Sequence, residues 1–172
     1  MAILKIVTYP TDILRKKTKI ITEFEDNKFN LLISNMAETM YDAPGVGLAA
    51  NQIGLSLRIA VIDAVWKHDE EKRDLRVFIN PEILEKKELI EFEEGCLSLP
   101  GVTGITKRYN TITVHYFTVE GKEETLTTSG LLAIALQHET DHLNGKLYID
   151  HLSSIKKEML LKRFKKLRTS DE

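Results

Sequence analysis

The chain has 172 residues, of which 42% are hydrophobic and 29% are charged, and its formal net charge is −2. These values fit one globular domain large enough to bury about 70% of its unfolded surface, and they exclude a disordered chain. The small net charge gives no reason to expect that the whole chain binds nucleic acid. Residues 1–6 lack the long apolar region of a signal peptide, and the apolar run 131–136 is too short to span a bilayer. We therefore expect a cytoplasmic protein with no membrane partner.

The hydrophobic pattern predicts a helix and then a series of strands in the first three quarters of the chain. Apolar residues at helical spacing predict the helix, and short β-branched or alternating runs bounded by turn residues predict the strands. The predicted elements are a helix over residues 29–41, strands over residues 55–63, 77–80, 111–119 and 124–127, and turns over residues 67–74 and 120–122. Pro81 is expected to stop the second strand, and His115 in the third strand is expected to be structural.

A second helix of about 15 residues is predicted from residue 129. Residues 131–137 are good helix formers, and Ser129 can serve as the N-cap. Asn144 and Gly145 together give the stop signal that is typical of a helix C-terminus.

Two histidines lie on the apolar stripe of this helix. Leu131, Ala135, His138 and His142 follow one another at spacings of 4, 3 and 4 residues, so that both imidazoles share the apolar stripe. Glu139 stands beside the first histidine. Two imidazoles one helical turn apart, with an adjacent carboxylate, can hold a metal ion and move a proton, which is the chemistry of a hydrolase. The alternative is a pair of ordinary core histidines bonded to backbone carbonyls.

Two histidines do not complete a metal site, because catalytic sites of this type use three protein ligands and structural sites use four. A metzincin protease would carry a third histidine where Tyr148 stands, and a thermolysin-like protease would need a later glutamate, for which Glu158 is the only candidate before the terminal residue. A structural site could be closed by His151. Cys96, the only cysteine, is the remaining strong candidate, since a single thiol cannot form an internal disulfide.

The neighbours of Cys96 favour a functional thiol over a buried, inert one, which is the alternative. Gly95 permits unusual backbone geometry, and the pair Pro100 and Gly101 is expected to mark a loop.

Three segments together resemble the signature motifs of one enzyme family. Residues 45–52 read GVGLAANQ, residues 94–98 read EGCLS and residues 137–142 read QHETDH. In content, order and spacing they resemble the motifs of peptide deformylase, and the resemblance runs from about Leu4 through Asp150. The order of the predicted elements indicates an α+β fold in which antiparallel β-sheets pack around a central metal-binding helix, with a C-terminal helix, and the family fold agrees. One catalytic domain over residues 1–172 is expected.

The resemblance implies a reaction and a set of roles. The enzyme would use one divalent metal ion to remove the N-terminal formyl group from formyl-Met of newly made peptides, with release of formate. The implied metal ligands are Cys96, His138 and His142, the implied proton carrier is Glu139, and the implied donors to the oxyanion are the Gln52 side-chain amide and the Leu97 backbone N–H. Without the resemblance, Gln52 would be interpreted as a solvated surface amide.

The same matching implies a largely apolar pocket for the methionine side chain and the peptide backbone, as a thioether requires. The implied substrate-binding residues are Gly45, Val46, Gly47, Phe92, Gly95, Leu131, Ile134 and Ala135, with His138 beside them. Two positions depart from the family pattern. Asn51 stands where many relatives carry proline, and Thr103 stands where some carry an arginine that contacts the peptide.

Gly45, Gly47 and Ala50 also resemble a dinucleotide-binding fingerprint, which needs a preceding strand and a following helix. The predicted context runs the other way, with a helix before and a strand after, so no nucleotide cofactor is expected.

The metal cannot be identified from a thiol and two imidazoles, which suit zinc, ferrous iron, nickel and cobalt. The resemblance implies ferrous iron as the physiological ion, with the others able to substitute. A zincin-like endopeptidase and a non-catalytic structural metal module remain alternatives.

The C-terminal segment is predicted to be a helix over residues 153–168. It carries seven basic residues against one acidic, and an approximate apolar stripe formed by Ile155, Met159, Leu160, Phe164 and Leu167. Such charges usually form only a solvated face. The sharper hypothesis is weak docking to the ribosome, because nascent chains are the implied substrate and ribosomal RNA is polyanionic. Nothing in the sequence requires an oligomer, so a monomer is expected.

Overall fold

The computed structural model describes residues 2–25 and 27–170, so Met1, Asp26, Asp171 and Glu172 lie outside the described residues. The elements in chain order are helix α1 Asn30–Asp42, strands β1 Gly47–Ala49, β2 Ile59–Ile62, β3 Arg76–Cys96, β4 Leu99–Phe117 and β5 Glu123–Ser129, and helices α2 Leu131–Leu143 and α3 Ser154–Ser170. Short 3₁₀ helices cover Asp12–Arg15, Ala50–Ile53, Glu70–Lys72 and Tyr148–His151. The predicted helix over 29–41 and the turn at 120–122 are confirmed, whereas the strand predicted over 55–63 is shorter than expected.

The five strands form one antiparallel sheet in the order β1-β2-β3-β4-β5, so each strand pairs with its neighbour along the chain. The expected α+β fold with antiparallel strands is confirmed. β2 pairs with only the first four residues of β3, and β5 pairs with only the last seven residues of β4. Beyond these pairings, residues 88–96 of β3 and 99–110 of β4 form a two-stranded ribbon that ends in the turn at Leu97 and Ser98.

The expectation that Pro81 stops a strand is wrong, because β3 continues through it to Cys96. Proline cannot donate a hydrogen bond to the sheet. The pairing of β3 with β4 shifts its register between Ile79 and Glu82, and this irregularity accommodates Pro81. The loop expected at Pro100 and Gly101 is likewise wrong, since both residues lie within β4.

Helix α2 begins two residues later than predicted, and Ser129 is not its N-cap. Ser129 is the last residue of β5, and its hydroxyl lies 2.7 Å from the hydroxyl of Thr111 on β4. Gly130, with φ of 73°, makes the change from strand to helix. The predicted C-terminal stop is confirmed, because Asn144 follows the helix and Gly145 has φ of 75°.

One face of α2 packs on the sheet. The cluster of buried apolar residues between them consists of Ile62, Phe78, Ile112, Val114, Ala133, Ala135 and Leu136. Burial of one leucine side chain of this kind contributes roughly 1.5–3 kcal/mol. The packing fixes the rotation of α2 about its axis and therefore the direction in which its two histidines face.

Helix α3 packs on β4 through Leu160 and Phe164, which are buried among Leu99, Val102 and Tyr148. The predicted apolar stripe is wrong for its other members. Ile155 is 72% exposed and Met159 is 65% exposed, because only one side of the helix contacts the rest of the protein. No helix within the described residues is both long and apolar enough to cross a membrane.

Candidate metal centre and substrate cavity

Helix α2 brings the two histidines of the sequence motif together. The ring centroids of His138 and His142 are 4.8 Å apart, and their Nε2 atoms are 3.1 Å apart. Within the described residues, the Nδ1 atom of His142 has no hydrogen-bond partner, and Nδ1 of His138 lies 2.7 Å from the carboxylate of Glu94. Among the described residues, neither ring is bonded to a backbone carbonyl, so the alternative of two ordinary core histidines is wrong.

Cys96, at the end of β3, lies beside the two imidazoles. Its Sγ is 3.3 Å from Nε2 of His142, and the ligand atoms of Cys96, His138 and His142 all lie within 4.8 Å of one another. One thiolate and two imidazoles suit zinc, ferrous iron, cobalt and nickel. No fourth His, Cys, Asp or Glu joins this group in the part of the chain that the structure describes. The arrangement therefore fits a catalytic metal ion, with a coordination position free for water, better than a closed structural site.

The residues that would complete other kinds of metal site lie elsewhere. Tyr148 donates its hydroxyl to the backbone carbonyl of Val102 at 3.3 Å. Glu158 is exposed on α3. Nε2 of His151 lies 2.7 Å from the carboxylate of Asp141, and His151 is not part of the metal-binding group. These positions contradict the metzincin-like, thermolysin-like and four-ligand alternatives.

Glu139 is buried beside the metal ligands and is 4% exposed. None of the described residues donates a hydrogen bond to its Oε2 atom. Its carboxylate packs on Gly47, where a Cβ atom would lie 2.6 Å from Oε1 of Glu139. Burial raises the pKa of Glu139 to about 7. A carboxyl group with a pKa near neutrality is suited to accept a proton and to return it.

A buried chain of ion pairs, absent from the sequence analysis, holds His138 in place. Arg108 donates to both carboxylate oxygens of Glu94, at 2.6 and 2.8 Å, and to Asp141 at 2.7 Å. Glu94 and Arg108 are each 3% exposed. Burial alone would raise the pKa of Glu94, but hydrogen bonds from His138 and Arg108 outweigh burial and hold that pKa well below its usual range. Because the charged Glu94 engages Nδ1 of His138, Nε2 is left to bind a metal ion.

Gln52 is 1% exposed, contrary to the surface position that its polarity alone indicates. Its side-chain oxygen accepts a hydrogen bond from the backbone N–H of Ala49 at 3.0 Å. This bond turns Nε2 toward the metal ligands, 3.2 Å from Oγ of Ser98 and 3.6 Å from Sγ of Cys96. Leu97 occupies the neighbouring turn between β3 and β4.

A cavity of about 640 Å³ opens next to the metal ligands. Every residue that the sequence analysis assigned to substrate binding lines it, namely Gly45, Val46, Gly47, Phe92, Gly95, Leu131, Ile134 and Ala135. Gln52, Cys96, Leu97, His138 and Glu139 line it as well, so the proposed chemistry and the proposed pocket share one space. Lys67 and Glu93, which the sequence analysis did not assign, also contribute to its wall.

Comparison with known proteins decides the family. The sequence model of polypeptide deformylase matches residues 3–158. The chain belongs to the polypeptide deformylase family. A peptide deformylase of Desulfotalea psychrophila is 51% identical over 166 residues, which cover 96% of this chain and 97% of that protein.

Solved deformylase structures have the same fold. The crystal structure of a peptide deformylase from Legionella pneumophila is 45% identical, with a TM-score of 0.90, and the match covers 99% of this chain and 98% of that one. The structure of the Ehrlichia chaffeensis peptide deformylase in complex with actinonin is 35% identical, with a TM-score of 0.87, and covers 96% and 98%. The protein is therefore an enzyme, a deformylase, and neither the endopeptidase nor the non-catalytic module is favoured.

The two departures from the family pattern have clear places in this deformylase. The side-chain amide of Asn51 donates to the backbone carbonyl of His142 at 2.6 Å, and so supports the C-terminal end of α2. Thr103 lines the cavity, and its hydroxyl donates to Glu93 at 2.9 Å. Asn51 thus contacts the metal-binding helix, whereas Thr103 belongs to the substrate side.

Proposed function

We propose that this deformylase hydrolyses the N-terminal formamide of formyl-Met peptides on newly synthesised proteins and releases formate. The observation that supports the proposal is the convergence of Cys96, His138 and His142 beside a buried glutamate at the wall of an apolar cavity. Cys96, His138 and His142 would hold one divalent metal ion. Such an ion supplies Lewis acidity and lowers the pKa of a bound water toward about 7.

Glu139 is the proposed proton carrier. Its Oε2 atom is free of protein hydrogen bonds within the described residues, so it can accept a proton from the attacking water. The water oxygen bonds to the formyl carbon, the carbon–nitrogen bond breaks, and Glu139 passes the proton to the departing amine. The pKa of about 7 suits both the uptake and the return of this proton.

The negative charge that develops on the formyl oxygen needs donors that are already in position. We assign these to Nε2 of Gln52 and the backbone N–H of Leu97. The bond from Ala49 to the Gln52 side-chain oxygen leaves Nε2 as the end that faces the cavity. Loss of one such donor typically lowers the rate by about 10²–10³-fold.

The methionine side chain of the substrate is assigned to the apolar part of the cavity. Val46, Phe92, Leu131, Ile134 and Ala135 supply apolar surface there, which suits an unbranched thioether. Gly45, Gly47 and Gly95 would lie along the peptide backbone, where glycines allow close approach.

We propose ferrous iron as the physiological ion, with zinc, nickel or cobalt able to replace it. The family resemblance supports iron, and one thiolate with two imidazoles binds all four metals. Metal analysis of protein purified without oxygen, compared with protein purified in air, tests this assignment.

The decisive experiment is a formate-release assay on formyl-Met-Ala-Ser, with the metal content of the same sample measured. Glu139→Ala should retain the metal and lose turnover, whereas Glu91→Ala, at an exposed carboxylate on β3, should retain both. Cleavage of internal peptide bonds without formate release would overturn the proposed reaction. Full turnover in Glu139→Ala would overturn the role of Glu139 alone.

We also propose that the basic face of α3 docks weakly on ribosomal RNA. Removal of α3 is a poor test, because Leu160 and Phe164 belong to the core. The better test reverses the charge of three exposed lysines of α3 together, at Lys156, Lys162 and Lys166. The control variant reverses the charge of three exposed lysines of β3 and β4, at Lys86, Lys87 and Lys107. Co-sedimentation with ribosomes at low salt should fall only in the α3 variant, and equal binding by both would rule out docking through α3.

We also propose that residues 1–172 form one catalytic domain that acts in the cytoplasm as a monomer. A thiolate ligand requires a compartment in which Cys96 stays reduced. Sedimentation of the purified protein measures the oligomeric state.

A further inference from the structure

Trp66, the only tryptophan of the chain, is 7% exposed and lies beside a segment that lines the cavity. Its indole Nε1–H donates to the backbone carbonyl of Gly45 at 2.9 Å. Its ring meets that of Tyr41 edge to face, with centroids 5.3 Å apart. A buried indole needs an acceptor for its N–H. Here that acceptor is a backbone group of the substrate cavity itself.

The loop that carries Trp66 is held rigidly by Asp63, which is fully buried. One carboxylate oxygen of Asp63 accepts from the backbone N–H groups of Val65 and Trp66, at 2.9 and 3.0 Å. The other oxygen accepts from the hydroxyl of Tyr41 at 2.7 Å and from the N–H of Asp74 at 2.9 Å. The backbone and the ring of Trp66 therefore both have fixed partners, and the direction of its N–H is set.

Gly45 and Val46 precede β1, and both line the cavity. The N–H of Gly45 donates to the carbonyl of Met40, and the carbonyl of Val46 accepts from the N–H of Asp63, each at 2.8 Å. The peptide unit between them is therefore held on both sides, and the indole N–H is the donor to its own carbonyl oxygen. Gly45 also packs closely on Leu97, since a Cβ atom at Gly45 would lie 2.7 Å from Cδ1 of Leu97. The peptide unit that joins Gly45 to Val46 is planar. The indole N–H, by holding the carbonyl oxygen of Gly45, therefore also sets the direction of the Val46 N–H, which lies on the opposite edge of the same plane.

We propose that Trp66 is a positioning residue for substrate binding, because its indole N–H sets the Gly45–Val46 peptide plane in the wall of the cavity. The inference rests on the proposed deformylase reaction and adds to it a residue that does not touch the reacting atoms. Gly47 is held separately by its pairing with Ile62 of β2, which does not involve the carbonyl of Gly45. Glu139, which packs on Gly47, therefore stays in place, and loss of the indole N–H weakens peptide binding more than it slows the chemical step.

The test removes one atom group and keeps the shape of the ring. In β-(3-benzothienyl)alanine a sulfur replaces the indole N–H. Because Trp66 is the only tryptophan, supplying this analogue in the culture medium in place of tryptophan changes only this position, and the product is called the thienyl protein. The matched control is 5-fluorotryptophan, which retains the N–H. The thienyl protein should show a roughly tenfold rise in KM for formyl-Met-Ala-Ser, because the released peptide plane must then be ordered when the substrate binds. Its kcat should change less than about twofold, its metal content should be unchanged, and its Tm should fall by less than about 4 °C.

Each other result has a definite meaning. An unchanged KM in the thienyl protein, with an active parent, overturns the positioning role and leaves the deformylase proposal standing. Parallel losses of kcat, metal and Tm, or the same loss in the fluorinated control, show that Trp66 is only structural. A parent protein that releases no formate overturns the proposed function and this inference with it.

Discussion

Replacement of the buried carboxylate behind His138 tests how the metal centre is organised. In the parent, the two oxygens of Glu94 accept hydrogen bonds from His138, from two nitrogens of Arg108 and from the hydroxyl of Thr106. Glu94→Gln preserves the size of the side chain but replaces one acceptor oxygen with an amide that can only donate. At least one of the surrounding donors then loses its acceptor, and the guanidinium of Arg108 loses one of its two carboxylate partners.

The expected size of the effect follows from burial and from the remaining contacts. Removal of one member of a buried ion pair costs about 3–5 kcal/mol. Arg108 keeps its bond to Asp141 at 2.7 Å, so Glu94→Gln should fall at the lower end, about 3 kcal/mol. For a chain of this size that corresponds to a fall in Tm of about 6–12 °C. Metal affinity should fall by about 10–100-fold, because Glu94 orients the histidine that binds the metal.

Two assays separate these effects. Thermal unfolding of the metal-free protein measures the stability of the ion pair, and competition with a chelator measures the metal affinity at a temperature where both proteins are folded. Glu91→Gln, three residues earlier and exposed, is the matched control and should change neither quantity. If Glu94→Gln were destabilised but still bound metal as tightly as the parent, the reasoning that this carboxylate orients His138 would be refuted.

Three further predictions concern single positions. Burial raises the pKa of Asp63, but its hydrogen bonds outweigh burial and lower that pKa. Asp63→Asn should therefore lower the free energy of unfolding by about 2 kcal/mol at pH 7. The difference from the parent must shrink below about pH 4, where the carboxylate of the parent becomes protonated. Gly47→Ala should lower kcat for formate release by roughly 10²-fold at unchanged metal content, because the new methyl group displaces Glu139. Gly145→Ala should lower Tm further than Gly130→Ala. Both positions have positive φ, at which a side chain adds a strain of about 1–3 kcal/mol. Only at Gly145 would the new Cβ also lie 2.6 Å from a backbone oxygen.

The part of the site on α2 could be predicted because its geometry is local. Two histidines four residues apart must share a helix face, and the apolar residues around them indicate that the face is buried. Gln52 could not be assigned in the same way. Whether an amide is solvated or buried depends on the remote residues that cover it, here Ser98 and Cys96, so only the family resemblance pointed to Gln52.

The long strand β3 could not be predicted beyond residue 80 for a physical reason. Residues 84–89 are all exposed, because the pairing of β3 with β2 has ended before them and β3 is an edge strand here. Burial on one face is what produces an alternating sequence pattern, so no such pattern arises here. Arg108 lies on the other strand of the ribbon and meets Glu94 only through the pairing of β3 with β4, which no local pattern records.

The same ribbon carries Cys96, the third proposed metal ligand, and α3 packs against the ribbon. Glu94 and Cys96 both reach the histidines of α2, although the pairing of β3 with β4 shifts its register between Gly95 and Cys96. The position of the thiol therefore depends on this irregularity as well as on the register of the ribbon. Three residues after Cys96, Leu99 of β4 is buried in the cluster that contains Phe164 of α3. The apolar side of α3 therefore stabilises the register on which the metal centre depends, although α3 contributes no ligand. This is why the basic, exposed side of α3 can be changed to test ribosome docking, while a change at Phe164 should weaken metal binding.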